Sequence, residues 1–285
     1  MRLHELNTGY FKLDGGAMFG VVPKGIWNKL NPADEKNLCT WAMRCMLIED
    51  GDRLILIDTG IGNKQSEKFY GYYYLQDMLS LESALKAKGF GLDDVTDVFL
   101  THLHFDHVGG AVQYNATKDR LEPVFKNAKY WSNKQHWDWA TINPNPREKA
   151  SFLKENILPI QESGQLHFIE QTPNALLTQS PMPGIEVFFA NGHTEAQMIP
   201  IIKNGDSKVV FGADLIPSAY HIPQAYVMGY DMRPLQTIED KNSLFPLIHE
   251  NNWQVFLEHD PINEFITLDK GEKGYSVKEK GLFNS

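Results

Sequence analysis

The chain has 285 residues, of which 42% are hydrophobic and 22% charged, and a formal net charge of −9. That balance fits a globular protein with a sizeable core, read as a single domain over 1–285, and the acidic surplus argues against a nucleic-acid binder, whose footprint is basic. Two cysteines are too few for a disulfide framework, and no secretion signal or run of about 18 apolar residues occurs, so a soluble cytoplasmic protein with no membrane contact is expected.

"AMRCMLIEDGDRLILIDTG" reads as two apolar strands joined at Asp50-Gly51, a hairpin turn signal. A helix is predicted from Leu75 to Lys88, with Leu75, Met78, Leu79 and Leu85 on one face and Gly89 as its stop. "VTDVFLTH" is a short buried strand that delivers the chain to His102. "WSNKQHWDWATINPNP" reads as a helix and loop insertion without an assigned role. "IEVFFANGH" is a strand ending at His193. "MIPIIKNGDSKVVFGAD" is a hairpin across Asn204-Gly205 that ends at Asp214. Thr237 to Asn252 reads as a helix, with Thr237 and Asp240 as its N-terminal cap and Pro246 as a kink. "WQVFLEHD" is a strand ending at His259.

One pattern repeats. Apolar strands end, and a His or Asp follows at once, which is how a rigid scaffold places polar groups at one rim. The densest case is "THLHFDHVGG", Thr101 to Gly110. Residues two apart on an extended segment face the same way, so His102 and His104 converge. Asp106 and His107 lie past that point, where the chain turns, and can face the same space from another side. Imidazole and carboxylate suit zinc, iron, cobalt or manganese. With His193, Asp214 and His259 added, the donors exceed one tetrahedral site and suit two metals that share a carboxylate. Cys39 and Cys45 read as buried small hydrophobes, and His4, His136, His167 and His249 as surface or structural.

"HLHFDH" resembles the His-x-His-x-Asp-His motif of the metallo-β-lactamase fold, and "IDTGIG", "GHT", "FGAD" and "EHD" follow the order of that family over residues 13 to 260. The resemblance implies an α/β fold, an αββα sandwich with a metal site at one edge. It implies one metal on His102, His104 and His193, another on Asp106, His107 and His259, and Asp214 as the bridge. Asp58 resembles the family's carboxylate beneath the histidines, a group that fixes ring orientation. The expected cofactor is a pair of divalent transition-metal ions, zinc first, with iron, cobalt and manganese open.

"LDGGAMFGVVPKGIW" and "AYVMGYD" resemble segments of quorum-quenching N-acyl homoserine lactonases and of the related methyl parathion hydrolases. In those relatives the first segment borders the metals, so Met18, Phe19 and Trp27 are expected as substrate-binding apolar walls. Some of these lactonases carry a tyrosine three residues after the bridging Asp. Here that position is Pro217, and Tyr220 and His221 are the catalytic candidates in its place. The resemblance implies lactone opening by a hydroxide shared between the metals, with Asp106 both ligand and proton carrier. Phosphotriester hydrolysis, glyoxalase II-like thioester cleavage and a non-enzymatic metal-binding protein are the alternatives. A small-molecule lactone or ester is the expected partner, and a homodimer is compatible with this reading. Catalytic efficiency is expected to rise with acyl-chain length, and Phe19→Ala to flatten that rise without changing metal content.

Overall fold

Alternation with a period of two decides which way the first strands face. In the strand Leu38–Asp50, Met46 and Ile48 point to one core, while Cys45 and Leu47 point to another. Its neighbour Arg53–Ile57 does the same, with Ile55 and Ile57 on one side and Leu54 and Leu56 on the other. A strand with both faces apolar needs a layer on each side, and burial of each such side chain stabilises the fold by roughly 1.5–3 kcal/mol.

The computed structural model describes residues 1–283 and supplies both layers. One sheet has six strands in the order Arg2–Asp14, Leu38–Asp50, Arg53–Ile57, Asp97–Phe99, Lys129–Ser132 and Leu166–Phe168. The first three pair antiparallel and the rest parallel. The other sheet has seven, in the order Gly274–Gly281, Phe265–Gly271, Gln254–Phe256, Ser207–Phe211, Gln197–Asn204, Ile185–Ala190 and Thr178–Gln179. Their inner faces meet in a core that includes Ile57, Phe99, Val187 and Val210. The helices Leu81–Ala87, Lys134–Thr141 and Lys154–Glu162 cover the outer face of the first sheet. The helix Pro234–Glu250 covers the second, with Leu244, Phe245 and Ile248 buried. This is the expected αββα sandwich. No helix of the described residues is long and apolar enough to cross a membrane.

Two predicted helices have different bounds. Only Leu81–Ala87 of the 75–88 segment is helical, with Ser80 as its cap. The edge strand explains this, because its free backbone groups capture the preceding residues. Tyr10 and Gln76 exchange backbone hydrogen bonds of 2.9 and 2.8 Å, and Leu79 N–H donates to Thr8 O at 3.1 Å. Met78 and Leu79 are exposed, so they form no buried face. The later helix begins at Pro234, which places Thr237 and Asp240 inside it and not at its cap, and it runs through Pro246 to Glu250. Proline at the first helical position costs no hydrogen bond.

Asp58, His102, His193, Asp214 and His259 all follow the C-terminal ends of strands. The strands before His193, Asp214 and His259 run in one direction, since each antiparallel step is followed by another and the last step is parallel. Polar side chains from both sheets therefore reach the same edge of the sandwich.

Candidate metal centre

The strand Asp97–Phe99 continues through Leu100 and Thr101 to His102. Asp58 pins this exit. Its Oδ1 accepts from Thr101 N–H at 2.8 Å, and its Oδ2 from the Thr101 hydroxyl at 2.6 Å. His136, buried in the insertion, accepts from Leu103 N–H at 2.9 Å and so fixes the peptide between His102 and His104. A short helix, Phe105–Val108, then turns Asp106 and His107 toward the same point. Glycine is required just beyond it, because a Cβ on Gly110 would lie 2.1 Å from Thr59 O.

The second sheet brings the other donors. Asp231 Oδ1 lies 3.0 Å from His193 Nδ1, and its Oδ2 accepts from the Thr237 hydroxyl at 2.9 Å. Asp240 Oδ2 accepts from Asn191 and Gly192 N–H and so holds the turn before His193. The Thr237 and Asp240 side chains thus support the site. His259 N–H donates to Pro217 O at 3.1 Å, which ties its strand end to the loop after Asp214.

Each ring has one outer nitrogen with an acceptor. His102 Nδ1 meets the Thr101 hydroxyl at 3.0 Å, His104 Nε2 meets Glu148 Oε1 at 3.0 Å, and His107 Nδ1 meets Asp58 Oδ2 at 3.0 Å. His193 Nδ1 meets Asp231, and His259 Nδ1 meets Ala42 O at 2.8 Å. Carbonyls and carboxylates only accept, and the Thr101 hydroxyl, which donates its proton to Asp58, accepts as well, so the proton goes to the outer nitrogen and a lone pair is left inside.

The inner atoms form two groups. His102 Nε2 and His193 Nε2 lie 3.0 and 3.1 Å from His104 Nδ1, with Asp214 Oδ2 3.1 Å from His193 Nε2. His107 Nε2 and His259 Nε2 lie 3.2 Å apart, with Asp106 Oδ2 3.8 and 3.9 Å from them. Asp214 faces both groups, because its Oδ1 lies 3.1 Å from His259 Nε2 yet accepts no hydrogen bond. Lone pairs this close repel unless a cation lies between them. The donor set, with its orphaned carboxylate oxygen, fits divalent metal ions with nitrogen and oxygen preference.

Electrostatics agree. Burial pushes the Asp214 carboxyl up, but His193, His107 and His259 outweigh it and hold it well below the usual range. Burial pushes His193 and His259 down, yet Asp214 lifts them to about 10 and about 9. Burial, then His107 and His104, holds His102 well below its usual value. Without an ion, a proton would take its place on the inner nitrogen of the rings that touch Asp214, and metal binding there would displace it.

His104, Asp106, His193, Asp214 and His259 line a cavity of about 430 Å³, with His102 and His107 buried. Met18, Tyr73, Phe105, Met228, Tyr230 and Met232 contribute to its walls, and Asp106 and Asp214 reach into it. Another cleft, about 400 Å³, lies behind Gly110 and Thr59, away from both donor groups. Of the expected apolar walls, only Met18 lines the cavity. Phe19 and Trp27 lie behind it, fully buried and stacked at 5.4 Å and 5°. A Cβ on Gly15 would lie 2.4 Å from the Trp27 ring, so the "DGG" of this segment serves that packing.

Of the three expected catalytic residues, Asp106 lines the cavity and Tyr220 and His221 do not. His221 stacks on the other face of Phe19 at 5.0 Å and 7°. Its Nε2–H donates to Met18 O at 2.9 Å and its Nδ1 accepts from the Ser218 hydroxyl at 2.7 Å, so neither nitrogen is free. Burial, then the charge of Lys241, pushes His221 down to about 4. Tyr220 packs against the same aromatic cluster. Sequence reasoning missed Tyr73, Glu148, Asp231 and Glu258. Asp231 and Glu258 stood inside quoted motifs. Glu258 Oε2 lies 3.2 Å from His107 Nδ1, and burial, opposed by His107, raises its carboxyl to about 8.

A family model described as "Metallo-beta-lactamase superfamily" matches residues 44–258. A probable metal-dependent hydrolase from Staphylococcus aureus is 28% identical, with a TM-score of 0.87 over 100% of this chain and 97% of that chain. AidC, a dizinc quorum-quenching lactonase solved with a product, is 22% identical, with a TM-score of 0.77 over 99% of this chain and 95% of that chain. The anti-Pycsar protein Apyc1 of a Bacillus phage is 26% identical over 73% of this chain and 90% of its own length.

Proposed function

This chain belongs to the metallo-β-lactamase superfamily, and on that premise we propose that it is a dinuclear metal-dependent hydrolase that opens lactone rings, with N-acyl homoserine lactones as the substrate class. The observation that carries this reading is one carboxylate, Asp214, between two donor groups at a largely apolar cavity. In this reading His102, His104 and His193 hold one ion, Asp106, His107 and His259 hold the other, and both share Asp214. Zinc is the proposed metal. The lactonase activity of AidC, which shares the fold, motivates the choice of substrate.

Bound divalent ions supply acidified water and a Lewis acid for the carbonyl oxygen. The chain's part is to orient and to move protons. Asp58, Asp231, Glu148 and Ala42 O fix the rings through their outer nitrogens. Asp106 reaches from the donor set into the cavity, where it would take the proton that the attacking water gives up and pass it to the ring oxygen as that oxygen leaves. Tyr73 lines the cavity and offers its hydroxyl as a donor to a substrate oxygen. Met18, Phe105, Met228 and Met232 give the acyl chain an apolar lining.

A pH-stat assay of ring opening, set beside chromogenic phosphotriester hydrolysis, tests the reading. The lactone is expected to have the higher kcat/KM. The opposite order would reassign the enzyme as a phosphotriesterase.

The Met18 wall adds a second expectation. A buried methylene contributes roughly 0.8 kcal/mol, so each added carbon strengthens binding by up to about fourfold, less where burial is partial. Efficiency should rise with acyl-chain length and level off. Met18→Ala should flatten that rise, and profiles identical to wild type would remove Met18 from the acyl site.

A further inference from the structure

Among the five rings, His104 is reversed. It turns Nδ1 inward, and its Nε2 needs an acceptor, which the two sheets do not supply. Glu148, two residues past the predicted 131–146 insertion, does. Its carboxylate is 2% exposed and takes three donors on two oxygens. Oε1 accepts from His104 Nε2–H at 3.0 Å, while Oε2 accepts from Trp139 Nε1–H at 2.7 Å and Asn145 Nδ2–H at 3.0 Å. A carboxylate satisfies all three, but an amide can accept on one side only.

The preceding residue reaches the other way. Arg147 donates to Gly229 O, and to Asp231 O at 3.4 Å. Asp231 is the residue whose carboxylate holds His193. Neighbouring residues of one turn therefore connect to the supports of His104 and His193. Both rings belong to the group with His102 and Asp214. Among the described residues, no hydrogen bond from 133–148 reaches Asp106, His107 or His259, whose rings are held by Asp58 and Ala42 O.

We infer that residues 133–148 form a positioning element for one of the two metal sites, with Glu148 as its central residue. The segment sets the affinity of the ion on His102, His104, His193 and Asp214, independently of the other ion. This rests on the two-ion reading above but not on the lactone assignment. Glu148 acts through His104 and is a positioning residue, although it also borders the cavity.

The test is a competition titration of the full chain with zinc alone against a chromogenic chelator, in wild type, Glu148→Ala, Glu148→Gln and His259→Ala. Wild type should show two binding steps. Glu148→Ala should weaken one step by about 10–100-fold and leave the other in place. Glu148→Gln should lose less, because its amide oxygen can still accept from His104. The step that survives in His259→Ala should be the one that Glu148→Ala weakens. If Glu148→Ala does not fold, as judged by thermal unfolding in chelator, Glu148→Gln carries the comparison, with one weakened step expected. Equal weakening of both steps, or of neither, would overturn the inference. A wild type with a single step would overturn the two-ion reading itself, and the inference with it.

Discussion

Asp214→Ala is expected to remove both metal ions and all but a trace of turnover. The carboxylate presents Oδ2 to one group, 3.1 Å from His193, and Oδ1 to the other, 3.1 Å from His259. Each remaining group would keep only its own donors and lose the anion shared between them, which offsets the repulsion of two neighbouring cations. Elemental analysis of protein purified without chelator should approach two equivalents in wild type and fall below one in the variant. Turnover should fall by roughly a thousandfold or more, the scale of a lost transition-state stabiliser. Asp214→Asn separates charge from shape. It should lose metal nearly as badly, because it keeps the volume and removes the anion. Activity that persisted in Asp214→Ala would show that the carboxylate does not join the two groups.

Phe19→Ala is expected to act on stability before it acts on specificity. The ring is fully buried between Trp27 and His221, nearly parallel to both. Deleting it leaves a cavity under the whole segment that carries Met18, and Phe→Ala changes in cores cost about 3–5 kcal/mol. In a chain of this length the melting temperature should drop on the order of 10 °C. Phe19→Leu fills part of the space and should recover part of the loss. The measurement is thermal unfolding with and without chelator. An unchanged melting temperature with an altered acyl-chain profile would return Phe19 to the cavity wall, where the sequence resemblance first placed it.

The donor residues were legible because their spacing is local and their strands are short and strongly apolar. His102, His104, Asp106 and His107 sit within six positions, and each remaining donor follows an apolar run. The supports were harder. Asp58 lies in a motif, but Glu148 lies just past the 131–146 segment, in a stretch with no periodic signal, and its role depends on where that stretch folds. His221 misled because proximity in sequence to Asp214 says nothing about direction. Its 3-10 turn, capped by Ser218, aims the ring into the aromatic stack. The helix predicted from Leu75 failed for a related reason. Local periodicity competed with an edge strand that offered hydrogen bonds, and the edge captured residues 76 and 79.

The donors are divided by sheet. His102, His104, Asp106 and His107 follow a strand of one sheet, and His193, Asp214 and His259 follow strands of the other. An ion held across this divide is a rivet between the two halves of the sandwich, closing loops that run from position 102 to 259. Like a disulfide, it restrains the open chain, but it can be withdrawn, and every tenfold rise in free metal above its dissociation constant adds about 1.4 kcal/mol against unfolding. If the ions bind as proposed, a chelator would unfasten the molecule along the edge where the donors gather, so resistance to heat and to proteolysis at that edge would become a property of the medium as much as of the chain.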